Sequence, residues 1–239
     1  MTLSVVAPTT SFAWTKHAPA AMLWDMDGTL IDSEPHWWAA ERELVEQGGG
    51  SWTDADALKL VGSDLHNAAR VLQERGAALS IEGIVDFLND YVGSRLAAEV
   101  PWRLHAQETL KRFGDLGIQN ALVTMSHTPV VAGMLKATGP DTFATVVTGD
   151  TVAKGKPDPE PYLLAARNLG VDITRCIAIE DSPTGIASAY ASGARTIGIQ
   201  AVSEVPVLPG LSRVASLDQI TPALLDIILC GGTVDFLGN

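Results

Sequence analysis

Residues 20–29 read Ala20-Ala21-Met22-Leu23-Trp24-Asp25-Met26-Asp27-Gly28-Thr29. A short apolar run stops at two acids and an Asp-Gly pair, the pattern of a buried strand running into a turn. From Leu104 onward the same texture recurs. Apolar runs at Ile118–Val123, Thr145–Thr148, Cys176–Ile179 and Thr196–Ile199 alternate with helical patterning at His105–Leu116, Pro129–Thr138, Glu160–Leu169, Thr184–Ser192 and Pro222–Leu229. Strands alternating with helices predict an α/β fold, a doubly wound, Rossmann-like parallel sheet covered on both faces.

Between the first strand and this alternation the chain reads differently. Pro35–Gln47, Asp54–Val61, Asp64–Arg75 and Ile81–Glu99 are helical in pattern, with breaks at Gly48-Gly49-Gly50, Gly62 and Gly76. An all-helical block inserted after the first strand predicts a small α-helical cap domain over residues 34–100. The catalytic core is then residues 19–33 and 101–239, with junctions near Asp32–Pro35 and Glu99–Arg103. Val202–Ser216, rich in Pro and apolar residues, reads as a surface loop or a contact patch.

Composition bounds the function. With 239 residues, 46% of them hydrophobic and 18% charged, the chain can bury a substantial core and is not globally disordered. Sixteen Lys and Arg against 28 Asp and Glu leave a net charge of -12. Nucleic-acid binding needs a basic face, which this balance excludes. An acidic chain that binds a phosphorylated small molecule must supply local positive charge from a metal or a placed cation. No apolar run is long enough to span a membrane. Met1–Ala18 has no cationic start followed by an apolar run, so residues 1–18 read as a tail or a lead-in to the first strand rather than a secretory signal. Two cysteines, Cys176 and Cys230, are too few for a disulfide scaffold; they read as buried thiols in a reducing, cytoplasmic setting.

In an open parallel sheet, ligands sit beyond the carboxyl ends of the strands. The polar residues that stop the strands are Asp25, Asp27, Thr124, Glu180 and Asp181, and Lys156 precedes a helix. Asp25 and Asp27, two apart on an extended segment, project to one side. They suit a nucleophile and a general acid–base, or they are simply a turn. A calcium loop aligned on Asp27 and Gly28 puts Leu23, which has no side-chain oxygen, at its first ligand position. Glu180 and Asp181 suit Mg2+, or cap the following helix. Lys156 is stiffened by Pro157, Pro159 and Pro161 and suits a phosphate charge, or is a solvated lysine. Thr124 offers a hydroxyl near a helix start, or reflects strand propensity.

Four stretches taken together resemble the haloacid dehalogenase superfamily of phosphotransferases: Trp24-Asp25-Met26-Asp27-Gly28-Thr29-Leu30, Leu122-Val123-Thr124, Gly155-Lys156-Pro157-Asp158-Pro159 and Ile179-Glu180-Asp181-Ser182-Pro183-Thr184-Gly185. The helical insert and Asp32-Ser33-Glu34-Pro35 are similar to the subgroup containing β-phosphoglucomutase and sugar-phosphate phosphatases. The resemblance implies a Mg2+-dependent phosphomonoester hydrolase acting on a small phosphorylated metabolite. Asp25 would attack phosphorus and Asp27 would serve as acid and base. Thr124 and Lys156 would hold the phosphoryl group. Asp181 would ligate Mg2+ with the Asp25 carboxylate and the Asp27 backbone carbonyl, assisted by Glu180. Glu34, Trp37, Met125 and Ser126 are the candidate substrate contacts, with Lys59 and Arg70 behind them. Trp37, Trp38, Trp52 and Trp102 suit a pocket, although aromatic residues at helical spacing are more often core.

Asp27 favours phosphate esters, because the dehalogenases and phosphonatases of the superfamily lack an acid there. A sugar phosphomutase of the same fold is the alternative. The mutases carry a cap histidine where Trp37 stands here, with His36 one residue off register. A non-catalytic phospho-accepting or interaction module is the further alternative. No membrane or nucleic-acid partner is expected, and the chain is expected to be a monomer or a weak homodimer.

Overall fold

The structure is a computed structural model and describes residues 12–15 and 18–238. Its centre is a six-stranded parallel sheet: β1 (Ala21–Trp24), β2 (Gln119–Val123), β3 (Thr145–Val147), β4 (Ile177–Glu180), β5 (Arg195–Ile199) and β6 (Ser212–Val214). The strand order is β3-β2-β1-β4-β5-β6, so the chain winds outward from β1 in both directions. β1 and β4 are buried along their whole length, as strands covered on both faces must be. Five helices cover the sheet: α5 (Ala106–Asp115), α6 (Thr128–Thr138), α7 (Glu160–Leu169), α8 (Pro183–Ser192) and α9 (Pro222–Leu229). One face packs Trp24, Phe113, Leu122 and Ile179 with α5, α6 and α9; the other packs Leu23, Tyr162, Ala178 and Ala189 with α7 and α8.

Four helices precede these: α1 (Glu34–Gln47), α2 (Asp54–Ala57), α3 (Leu65–Glu74) and α4 (Ile81–Ala98). The expected helix over Asp54–Val61 breaks into α2 and a 3-10 turn at Leu58–Leu60. These helices share their own core around Leu44, Trp52, Leu72, Ile84 and Leu88. α4 belongs to both cores, since Ile84 and Leu88 face the cap while Val92 and Leu96 face the sheet domain. It crosses α6 at close range. A Cβ at Gly133 would stand 2.7 Å from the Ala97 nitrogen, and one at Gly93 would stand 3.2 Å from the Pro129 oxygen. The two junction segments pair with each other: Asp32 N donates to Pro101 O at 2.8 Å and Arg103 N to Leu30 O at 2.9 Å.

Two expectations need correction. Val202–Ser216 is not only loop, because Ser212–Val214 forms the edge strand β6, with Ile197 opposite Ser212 and Ile199 opposite Val214. Three residues are too short for a readable period, and the exposed edge of β5 recruits them. Cys230 is exposed rather than buried. The presumed tail falls partly outside the described residues; within 12–15, Trp14 packs against the main core and Thr15 N donates to Asp226 at 2.9 Å. No helix among the described residues is long and apolar enough to cross a membrane.

The close crossing predicts that Gly133→Val forces α4 from α6 at a cost of about 1–3 kcal/mol. At about 2–4 °C per kcal/mol for a chain of this size, a thermal melt resolves that loss. Gly114→Ala on α5, where a Cβ meets nothing within 4 Å, is expected to stabilise by up to about 1 kcal/mol.

Candidate active site

Register assembles the site. Trp24 is level with Leu122 of β2 and Ile179 of β4, so one residue further on Asp25, Val123 and Glu180 stand in a row. Lys156 closes that row from outside the sheet. Its Nζ lies 2.7 Å from Asp25 Oδ1, 2.6 Å from Glu180 Oε1 and 2.9 Å from Val123 O, and it is buried. Burial alone would lower the lysine pKa; Asp25 and Glu180 outweigh it and raise it. The backbone N–H of Lys156 donates to Met125 Sδ at 3.1 Å, which seats the proline-flanked loop against β2. Tyr162 on α7 donates to Glu180 Oε1 at 2.6 Å.

Asp25, Glu180 and Asp181 present carboxylate oxygens within 4.8 Å of one another, all buried. Three carboxyl groups face one ammonium. Burial first, and then Glu180 and Asp27, push the Asp25 pKa up to about 7, with Lys156 opposing. Burial, Asp25 and Glu180 raise Asp181 well above the carboxylate range. Asp25 Oδ2 and Asp181 Oδ2 are buried with no hydrogen-bond partner, an expensive state for a carboxylate oxygen. Gly28, at φ +80°, lets the Asp181 carboxyl group sit directly against its backbone, since a Cβ there would stand 2.1 Å from Asp181 Oδ2. Orphaned oxygens, oxygen-only donors and excess negative charge together fit a hard divalent cation. The helix-cap reading of this pair passes to a neighbour: Ser182 Oγ caps α8 by accepting from Gly185 N at 3.0 Å, while Asp181 Oδ1 accepts from Thr29 Oγ1 at 3.3 Å and takes no part in the cap.

Asp27 turns elsewhere. Its carboxylate accepts from Ser33 Oγ (2.5 Å), Trp37 Nε1 (3.2 Å), Thr124 Oγ1 (3.1 Å) and Ser126 Oγ (2.7 Å). Four donors from β2's end, the junction and α1 fix it toward a cavity it shares with Asp25 and Lys156. The Thr124 hydroxyl is therefore engaged with Asp27 and with Ser126 N at 3.0 Å, and its own N–H is in the sheet. Asp27's side chain lies outside the group that could hold the cation. Glu34, Trp37, Met125 and Ser126 all line the cavity. Lys59 and Arg70 are exposed and do not line it; Lys59 pairs with Asp56 at 3.3 Å. Of the tryptophans, Trp37 and Trp38 line the cavity, whereas Trp52 is in the cap core and Trp102 bridges to Ile31 at the junction.

Sequence reading missed four residues. Ser33 gives its hydroxyl to Asp27 rather than capping α1. Tyr162 holds Glu180. Arg103 donates to the carbonyls of Gly28 and Gln200, tying the second junction to the first turn. Glu41 lines the cavity one stripe along α1 from Glu34. Only the last left a signal, its spacing of seven from Glu34 on a helical face.

A doubly wound parallel sheet, with a buried acidic strand-end centre under a helical insert, defines a capped α/β protein built around carboxylate chemistry. Residues 22–199 match the haloacid dehalogenase-like hydrolase family, and the chain belongs to it. Hexitol phosphatase A of Escherichia coli K12 is 29% identical over 214 residues, covering 83% of this chain and 92% of that protein. A phosphorylated carbohydrates phosphatase of Thermotoga maritima is 30% identical over 185 residues, 74% and 83% of the two chains. The solved structure of CbbY from Rhodobacter sphaeroides in complex with phosphate is 25% identical. It matches with a TM-score of 0.77 over 84% of this chain and 96% of that one. The family resemblance carried by the four motifs is thereby established.

The raised acids set a pH dependence. Asp25, Glu34 and Glu41 have folded pKa values of about 7, 8 and 7 against ordinary values of 3.8, 4.5 and 4.5. The unfolded chain therefore binds fewer protons between these limits, and stability falls as pH rises from near 4 to near 8. The cation-free protein is expected to melt lower at pH 8 than at pH 5.5. A divalent cation at one fixed concentration, 100 times its Kd at pH 8, is expected to add about 2.7 kcal/mol there and less at pH 5.5, where Asp25 holds its proton. Melting curves at both pH values, with and without Mg2+, check this.

Proposed function

We propose that this chain, a phosphatase of the haloacid dehalogenase-like hydrolase family, hydrolyses small phosphorylated metabolites through a phosphoenzyme on Asp25 with Mg2+ as its cation. The observation that carries the reading is the row in which Lys156 ties Asp25 to Glu180 while Asp25 Oδ2 and Asp181 Oδ2 stay unpartnered. Asp25, Asp181 and Glu180 would hold Mg2+, with the Asp27 backbone carbonyl as the further ligand that the family resemblance implies. When bound, Mg2+ supplies the charge that lets a carboxylate approach a phosphate dianion.

The chain's own residues do the rest. A carboxylate oxygen of Asp25 forms a bond to phosphorus as the bond from phosphorus to the ester oxygen breaks. The departing oxygen takes a proton from Asp27. Water then attacks the phosphorus of the aspartyl-phosphate and loses its proton to Asp27, releasing phosphate and restoring both acids. Lys156 holds Asp25 in one rotamer and balances charge on the phosphoryl oxygens. Ser33 and Trp37 keep Asp27 aimed at the cavity throughout; Thr124 and Ser126 hold it in the empty site and turn their hydroxyls to the phosphoryl group as it enters. Glu34, Trp37 and Met125 meet the rest of the substrate. Trp37 bears on the mutase alternative. Its indole N–H donates to Asp27 and has no basic nitrogen with which to activate a sugar hydroxyl.

Asp25→Asn, nearly isosteric, is expected to fold normally and to lose at least about a thousandfold in kcat, roughly 4 kcal/mol of barrier. Asp27→Asn is expected to lose about 10²–10⁴-fold and to accumulate phosphoenzyme visible by intact-mass spectrometry. Phosphate release from a phosphomonoester with Mg2+ measures both, and full-rate hydrolysis by Asp25→Asn would refute the assignment.

A further inference from the structure

The cavity is acidic on a side that the phosphoryl chemistry does not use. One stripe of α1 lines it: Glu34, Trp37, Trp38 and Glu41, at the spacings of three, four and seven that put residues on one helical face. Glu34 and Glu41 are 7% and 6% exposed. Glu41 Oε2 accepts from the Trp52 indole at 3.1 Å, which orients its carboxyl group. The charged neighbours that raise Glu34 most are other acids: Asp27, Glu41, Asp25 and Asp32. Trp38 Nε1, on the same stripe, is buried with no partner. Lys156 is the one cation among the described residues that line the cavity, and Asp25 and Glu180 already hold it.

Two buried carboxyl groups and an unpaired indole N–H, with no cation, form a set that suits hydroxyl groups. Hydroxyls donate to carboxyl oxygens and accept from an indole, and the flanking Trp37 and Leu88 pack against C–H surface. A second phosphate or a carboxylate placed there would be desolvated against two buried carboxyl groups, with no cation free to balance its charge. We propose that the Glu34–Trp38–Glu41 stripe is the leaving-group subsite, selecting phosphate monoesters of uncharged polyhydroxyl alcohols and rejecting esters that carry a second anionic group. This rests on the phosphatase reading and goes beyond it by naming the residues that discriminate and the charge they discriminate against.

The test is a set of kcat/KM values for the full chain with Mg2+. The esters are p-nitrophenyl phosphate, a panel of hexose, pentose and hexitol monophosphates, phosphoglycolate, and fructose 1,6-bisphosphate. The best polyol monophosphate is expected to exceed both anionic esters by at least about tenfold, and the double substitution Glu34→Gln with Glu41→Gln to close most of that gap. Trp38→Phe, which keeps the ring and deletes the donor, is expected to lower the ratio of polyol ester to p-nitrophenyl phosphate by about tenfold, one hydrogen bond's worth. It decides the matter even where the glutamine pair fails to fold. A wild-type preference for the bisphosphate or phosphoglycolate, or a Trp38→Phe ratio that does not move, overturns the subsite alone. A wild-type protein inert toward p-nitrophenyl phosphate and every other ester overturns the phosphatase reading and the subsite with it.

Discussion

The ammonium of Lys156 is the interaction on which the site depends. It is buried between two carboxylates and a strand-end carbonyl, and these three oxygens belong to three adjacent strands at one level of the sheet. Burying one cation and leaving it unpaired is costly, and so is burying carboxylates without it. The parallel register therefore does two things at once. It forms the core, and it delivers acid groups to one edge at a spacing that a single lysine spans. What the lysine leaves unbalanced, on Asp25 and Asp181, is the electrostatic deficit that a divalent cation fills.

The helical insert completes the site from the other side. α4 lies against α6 at glycines that bring the two backbones together, and the junction segments hydrogen-bond to each other. The insert is thus anchored close to the sheet edge, with the first turn of α1 beside Asp27. Ser33 and Trp37 donate to Asp27 from the junction and from α1, while Thr124 and Ser126 donate to it from the core. Asp27 is held jointly by the two parts of the molecule. The next turn of α1 brings Trp38 and Glu41 to the cavity wall, so one helix both orients Asp27 and lines the cavity.

Much of this was legible beforehand because its signals are local. Runs such as Ala21–Trp24 and Ile177–Ile179 are apolar along their whole length, which marks strands covered on both faces. Each stops at a polar residue, and topology says that such stops share one edge. Glu160–Leu169 and Pro222–Leu229 carry their own start and stop signals and fold over the expected residues. Other features had no local mark, or in the case of Glu41 only its spacing of seven from Glu34. Ser212–Val214 becomes a strand because β5 has an open edge. Tyr162 and Arg103 look like ordinary helix and loop residues until α7 and the second junction set them beside Glu180 and Gly28. Glu41 reads as a solvated charge on an amphipathic helix, and burial reverses that reading.

By itself, the order of apolar runs, helical patterns and terminating polar residues determined a doubly wound parallel fold with a helical insert, and named the six side chains at its centre. That follows because secondary structure and strand polarity are governed by neighbours along the chain. Only the tertiary structure decided which oxygens share Lys156, which are left without a partner, and that Asp27 belongs to the hydroxyl and indole donors rather than to the acidic cluster. Those outcomes depend on distances between residues up to 155 positions apart, such as Asp25 and Glu180, and on burial, neither of which a linear pattern encodes.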